Sequence, residues 1–142
     1  MSPTIRAATE SAAFAFTLSA LATFVLSTYV FSVHAGDAVA RSGGLGLVSF
    51  VTVFLAVSVT VRSRLSRKKP VLGAKRGAVI AMMAVVVVAF AHTCVTFGSA
   101  GFMYSLLCQV GYACLVGGGP AAIAGAIVGR SIENRVFNAR GT

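Results

Sequence analysis

Charged residues in this chain are confined to short stretches between four long apolar runs. The runs contain no Asp, Glu, Lys or Arg, each has at least 18 residues, and they cover residues 12–33, 44–61, 77–97 and 102–129. An α-helix rises about 1.5 Å per residue, so each run is long enough to cross a hydrocarbon layer of about 30 Å. The pattern predicts an all-α fold: a polytopic transmembrane bundle of four helices in a single domain, residues 1–142.

The composition supports a membrane protein over a soluble bundle. Hydrophobic residues make up 57% of the chain and charged residues 11%, whereas about 25% of a soluble domain is charged. A soluble helix of this length would carry a polar face, but residues 84–91 are apolar on every side. We therefore expect a multi-pass integral membrane protein, most simply of a bacterial inner membrane, with the lipid bilayer as its main partner.

The basic residues predict the orientation. Of the 12 Lys and Arg residues, all but Arg41 fall on the side of the four spans that carries both termini and the loop 62–76. Lys and Arg are retained in cytoplasmic segments, so both termini and this loop are predicted to be cytoplasmic. The loop residues are expected to contact anionic lipid headgroups, at about 1 kcal/mol each: Arg62, Arg64, Arg67, Lys68, Lys69, Lys75 and Arg76. Recruitment of an acidic partner is the alternative, and nucleic-acid binding is not expected.

Helix 4 carries a stripe of small residues. The members recur every four positions, so they share one face of the helix: Ala113, Gly117, Ala121, Gly125 and Gly129. Small side chains let two membrane helices approach closely. The stripe predicts a close helix contact, either inside this bundle or with a membrane-protein partner or a second copy of the chain.

The same helix is interrupted by Gly117, Gly118, Gly119 and Pro120. Pro120 has no N–H to donate to the carbonyl of Val116, which predicts a kink in this segment. Irregular backbone at membrane depth has to lie against protein or a water-filled cavity. We expect the segment to be buried as a structural kink, with a substrate-lining break as the alternative.

A polar cluster is predicted near the outer ends of helices 3 and 4. The turn 98–101 is short enough to make these helices a tight antiparallel hairpin, which places His92 and Gln109 at a similar depth, with Cys94 and Cys108 nearby. Ionisable residues inside a membrane point to function. His92 could fix helix register by bonding Gln109 or a hydroxyl of helix 1, line a path for a solute, or bind a metal with a cysteine. No catalytic residue, metal site or cofactor is predicted from the motifs present.

Two further features concern the first half of the chain. Helix 1 has small and hydroxylated residues at a spacing of four, and this stripe should face another helix: Ala15, Ser19, Thr23 and Ser27. The stretch His34–Gly43 is expected to be a solvated outer loop, in which Asp37 and Arg41 could pair only if it were helical.

The predicted function is that of a non-catalytic accessory or assembly subunit of a larger membrane complex. The chain is almost entirely membrane helix, its loops are short, and helix 4 has many small residues. The first alternative is a small channel or transporter that uses the helix 4 break and the level of His92 and Gln109. A membrane immunity or pore-regulating protein is a further alternative, and an enzyme is the class least expected.

Overall fold

The computed structural model describes residues 3–30, 32, 34–65, 73–96 and 102–138. These residues confirm the all-α fold class. The elements are α1 (Pro3–Val25) followed by a π-helical turn (Leu26–Val30), α2 (Ala35–Leu65), α3 (Gly73–Thr96), α4 (Phe102–Ala113) followed by a π-helical segment (Cys114–Gly118), and α5 (Gly119–Asn138).

Four helical segments are long and apolar enough to cross a membrane: Ile5–Tyr29, Ala35–Arg64, Gly73–Cys94 and Met103–Arg135. The last of these joins α4, the π-helical segment and α5. Large apolar side chains cover the outside, including Leu107 at 69% and Leu115 at 86% exposure. A continuous apolar exterior is unfavourable in water and favourable in lipid, so the chain is a multi-pass integral membrane protein.

The helices extend beyond the apolar runs. α1 begins at Pro3 rather than Ala12, and α2 begins at Ala35 rather than Gly44. The loop expected at His34–Gly43 is therefore helical from Ala35 onward. The amide of Ala38 donates to the carbonyl of His34 at 3.0 Å, and Asp37 lies in the first turn, where the helix dipole favours a carboxylate.

The described helices pack in the order α1, α2, α3 and α5. α1 runs antiparallel to α2, and Ser49 Oγ donates to the carbonyl of Ala15 at 3.4 Å. Gly46 lies against the ring of Phe16, which is 3.0 Å from the position of an added Cβ. α3 joins the two halves, because it packs on α2 as well as on α4 and α5. By contrast, α1 meets α5 over a small area and does not pack against α4.

The core lies at one end of the bundle. It is a cluster of buried small and branched side chains from the start of α1 and α3 and the end of α2 and α5, among them Ala8, Val57, Val61, Ile80 and Ile132. We call this the basic end, because most described Arg and Lys residues lie there: Arg6, Arg62, Arg64, Lys75, Arg76, Arg130 and Arg135. The opposite end, which contains the start of α2 and the end of α3, is the distal end.

One carboxylate connects the first and last helices at the basic end. Glu10 accepts from Arg6 Nε at 3.0 Å and from Arg135 Nη1 at 2.8 Å. The three side chains are partly exposed, so the pairs are worth about 0–1 kcal/mol each. They nevertheless lie where α1 and α5 come together.

Candidate functional site

The lower half of the helix 4 stripe packs inside the bundle. A Cβ added at Gly125 would collide with the carbonyl oxygen of Gly77 and lie 2.6 Å from the Cβ of Ala81. A Cβ added at Gly129 would lie 2.5 Å from the carbonyl oxygen of Gly73. Small residues at a spacing of four on both α3 and α5 thus bring the two backbones into direct contact.

The upper half of the stripe faces open space. Ala113, Gly117 and Ala121 line a large central cleft, and a Cβ added at Gly117 would meet no atom within 4 Å. All five residues of the stripe thus line the cleft, but only Gly125 and Gly129, towards the basic end, are also shown in contact with the backbone of α3.

The helix interruption lies at the same wall. The chain takes π-helical geometry over Cys114–Gly118 and returns to α-helix at Gly119. A π turn adds a residue just before the proline, where the α-helical bond from Pro120 cannot form. Gly118 is buried against the end of Met82, which is 3.2 Å from an added Cβ, while Gly117 and Pro120 line the cleft and Gly119 is exposed.

The central cleft has a volume of about 760 Å³ and is lined by all four membrane-crossing segments. Its walls run along residues 11–27, 41–57, 77–92 and 108–129. At the basic end it borders the buried core, several residues of which belong to its lining. It is open on the side between α1 and α4, because these helices do not pack together. The volume is within the range of about 300–1,000 Å³ that is typical of ligand sites.

Three hydroxyls of the first membrane-crossing segment line the cleft without a hydrogen-bond partner in the described part of the chain: Ser19 and Thr23 of α1 and Ser27 of the π-helical turn. Other hydroxyls in the helices bond to a carbonyl one turn earlier, at 2.8–3.0 Å, including those of Thr17, Thr52 and Thr93. Ser27 is itself buried. All four residues of the helix 1 stripe thus line the cleft, and the carbonyl of Ala15 also accepts a hydrogen bond from Ser49 of α2.

His92 and Gln109 meet on the opposite wall. His92 Nδ1 and Gln109 Oε1 are 2.7 Å apart, which joins α3 to α4 near the distal end. An amide oxygen only accepts, so the hydrogen of this bond lies on Nδ1. The ring Nε2 and the amide nitrogen of Gln109 are not used in this bond and can serve a ligand in the cleft.

The cysteines separate around this pair. Cys108 is exposed and lines the cleft, whereas Cys94 is exposed on a surface that does not line it. Residues two apart on a helix do not share a face, which explains why Cys94 is turned away from His92. Among the described residues, no group of three or more His, Cys, Asp or Glu side chains is placed to hold a metal ion.

Charge is distributed unevenly around the cleft. Arg41 lines it near the distal end, and no Asp or Glu belongs to the described lining. Four of the residues expected to contact lipid headgroups lie at the basic end: Arg62, Arg64, Lys75 and Arg76. The other three, Arg67, Lys68 and Lys69, lie outside the described residues. The predicted turn 98–101 also lies outside them. Sequence reasoning missed Arg41 as a cleft residue, although it was the one basic residue assigned to the outer side.

Compared with known proteins, the chain matches no family model, no curated protein and no solved structure.

Proposed function

We propose that this protein is a small membrane carrier whose substrate site is the central cleft. The observation that carries the proposal is the row of hydroxyls from Ser19, Thr23 and Ser27, which face the cleft without a partner in the described residues. A hydroxyl moved out of water without a hydrogen bond costs about 1–3 kcal/mol in proteins. Three such groups at membrane depth are favourable only if the cleft admits water or a polar substrate.

The shape of the cleft supports a carrier that is accessible from one side. At the basic end it borders buried side chains of the core, near the place where the Glu10–Arg135 pair connects α1 and α5. Towards the distal end it is bordered by His92 and Gln109, whose remaining nitrogen atoms can contact a solute. With the basic end in the cytoplasm of a bacterial cell, as the positive-inside rule favours, the end of the cleft at His92 and Gln109 would lie towards the outer side.

The helix interruption fits the same role. Gly117 and Pro120 line the cleft next to a π-helical segment, and π segments are frequent at functional sites. Irregular backbone at membrane depth is tolerated beside a wet cavity, and broken helices often border substrate sites in transporters. The interruption thus places adaptable backbone beside the proposed substrate.

Two native cysteines allow a direct test of cleft hydration. One variant keeps Cys108 alone and a matched variant keeps Cys94 alone, with serine at the other positions. Both are placed in nanodiscs of neutral phosphatidylcholine and treated with a charged, membrane-impermeant methanethiosulfonate. We expect faster labelling of Cys108, because it lines the cleft, although it is more than one turn inside α4 and Cys94 is within one turn of the end of α3.

The opposite order would contradict the proposal. If depth alone governed reactivity, Cys94 would react first and Cys108 would react only after denaturation in sodium dodecyl sulfate. Denatured samples of both variants provide the control for intrinsic thiol reactivity.

A second candidate function is that of an accessory or assembly subunit. It is favoured by the open side between α1 and α4, where the unoccupied face of Ala113, Gly117 and Ala121 could receive a helix of another membrane protein. Native mass spectrometry of the protein purified in mild detergent tests it. A stoichiometric partner that is lost in Gly117→Leu would favour this function, and a lone chain or homo-oligomer would favour the carrier.

A further inference from the structure

The described lining of the central cleft contains a single residue with a full charge at neutral pH, Arg41. Its guanidinium makes no ion pair in the described part of the chain, and Asp37, one turn earlier on α2, is not within salt-bridge distance. A cation beside an apolar, partly enclosed cleft is stabilised by an anion, and a guanidinium matches carboxylate and phosphate groups in geometry. Arg41 therefore favours a ligand with a negative headgroup.

The rest of the cleft is suited to an apolar chain. Away from Arg41 the lining includes apolar side chains that are not fully buried, among them Leu18, Val85, Val88 and Val128. The lining of α1 runs from Ser11 to Ser27, about 24 Å at a rise of about 1.5 Å per residue. A leaflet occupies half of a hydrocarbon layer of about 30 Å, so an acyl chain of one leaflet fits within this length.

The open side of the cleft indicates where such a ligand would enter. α1 and α4 do not pack against each other, so the gap between them faces the bilayer. Exposed apolar residues border it, including Leu18 on α1 and Tyr112 on α4. A molecule already dissolved in the membrane can slide sideways into the cleft without leaving the hydrocarbon layer.

We infer that the central cleft binds an anionic lipid from the bilayer, with its headgroup at Arg41 and one acyl chain along the apolar wall towards the basic end. His92 and Gln109 lie near the same end of the cleft as Arg41, and the amide nitrogen of Gln109 can donate to an oxygen atom of the headgroup. The inference rests on the proposed function, because it takes the cleft as the substrate site and names the class of substrate.

Protection of Cys108 tests the inference with a defined probe. The Cys108-only variant in phosphatidylcholine nanodiscs is labelled in the presence of laurate, dodecyltrimethylammonium or dodecanol, which share a twelve-carbon chain and differ in headgroup charge. We expect laurate to slow labelling of Cys108 and the other two probes to have little effect. Labelling of the Cys94-only variant should be unchanged, since Cys94 does not line the cleft.

Substitution of the arginine identifies the headgroup contact. Arg41→Gln should raise the laurate concentration needed for half-protection by about tenfold or more, the loss expected for one charge-assisted contact. Arg41→Lys keeps the charge and should lose less. Arg62→Gln is the matched control, because Arg62 is an exposed arginine of the same helix at the basic end, outside the cleft lining.

The remaining outcomes are distinguishable. Equal protection by laurate and dodecanol, or no effect of Arg41→Gln, would overturn the headgroup assignment. Protection by acetate as strong as that by laurate would identify a small soluble anion and overturn the lipid. Failure of Cys108 to react in the absence of any probe would contradict the proposed function itself, whereas a reactive Cys108 that laurate does not protect would contradict only this inference.

Discussion

The contact between α3 and α5 is specific enough to predict how an added methyl group changes stability. Gly125→Ala places a Cβ against the carbonyl of Gly77 and 2.6 Å from the Cβ of Ala81. Carbon atoms in ordinary contact are about 3.5–4.0 Å apart, so the two helices would have to separate by roughly 1 Å. Backbone atoms cannot rotate out of the way, and the separation would also loosen the neighbouring contact of Gly129 with Gly73.

The free-energy cost of this clash is obtained by comparison with a glycine whose surroundings can accept a methyl group. Gly111 lies on α4, and an added Cβ there would meet no atom within 4 Å. Both substitutions gain up to about 1 kcal/mol of helix propensity, so their difference isolates the clash. Overpacking typically costs about 1–3 kcal/mol, and we expect Gly125→Ala to be less stable than Gly111→Ala by that amount.

A third substitution should have an intermediate effect on stability. Gly118→Ala would press on the terminal methyl and sulfur of Met82 at 3.2 Å, and a flexible methionine can adjust. Its stability should therefore fall between those of the other two variants. The folded fraction can be measured by pulse proteolysis across a titration with sodium dodecyl sulfate in mixed micelles. Equal midpoints for Gly125→Ala and Gly111→Ala would refute the close contact between α3 and α5.

Two other predictions concern the ends of the cleft. Glu10→Gln removes the carboxylate that pairs with Arg135. Because exposed ion pairs are worth about 0–1 kcal/mol, the stability of the protein should hardly change. Spin labels on α1 and α5 should nevertheless report a broader distribution of distances between the two helices. An unchanged distribution would show that the ion pair does not hold the basic end closed. His92→Ala should abolish uptake of radiolabelled hexanoate into proteoliposomes, assayed at a pH where the acid is ionised, without lowering expression. Unchanged uptake would remove His92 from the substrate path.

Much of this architecture could be predicted because charge-free runs of membrane length have few alternatives. The hydrogen bond between His92 and Gln109 could also be anticipated, because α3 and α4 are separated by only a few residues and positions near these helix ends reach similar levels. Helix ends were harder to predict. Gly36, Gly43 and Gly44 resemble turn residues, yet they lie in α2, where an added side chain would meet nothing within 4 Å.

What a helix face contacts could not be predicted from its periodicity. A spacing of four places Gly117 and Gly125 on one face and both line the cleft, but a Cβ added at Gly125 would collide with α3 whereas one added at Gly117 would meet no atom within 4 Å. The difference depends on the angle between helices, which no local pattern encodes. In contrast, the different surroundings of Cys94 and Cys108 could have been foreseen, since Cys94 is two residues from His92 and so lies on another side of α3.

The interface between α3 and the last membrane-crossing segment changes in character from the basic end to the distal end. The contacting residues grow in size along it: Gly73 and Gly77 with glycines at the basic end, Met82 with Gly118 further along, and His92 with Gln109 towards the distal end. The separation of packed helices depends on the side chains between them. Glycine pairs hold the backbones together at one end, and the polar pair spaces them at the other. Both segments also supply part of the cleft lining, so the side chains along this interface decide how closely these two walls of the cleft approach each other.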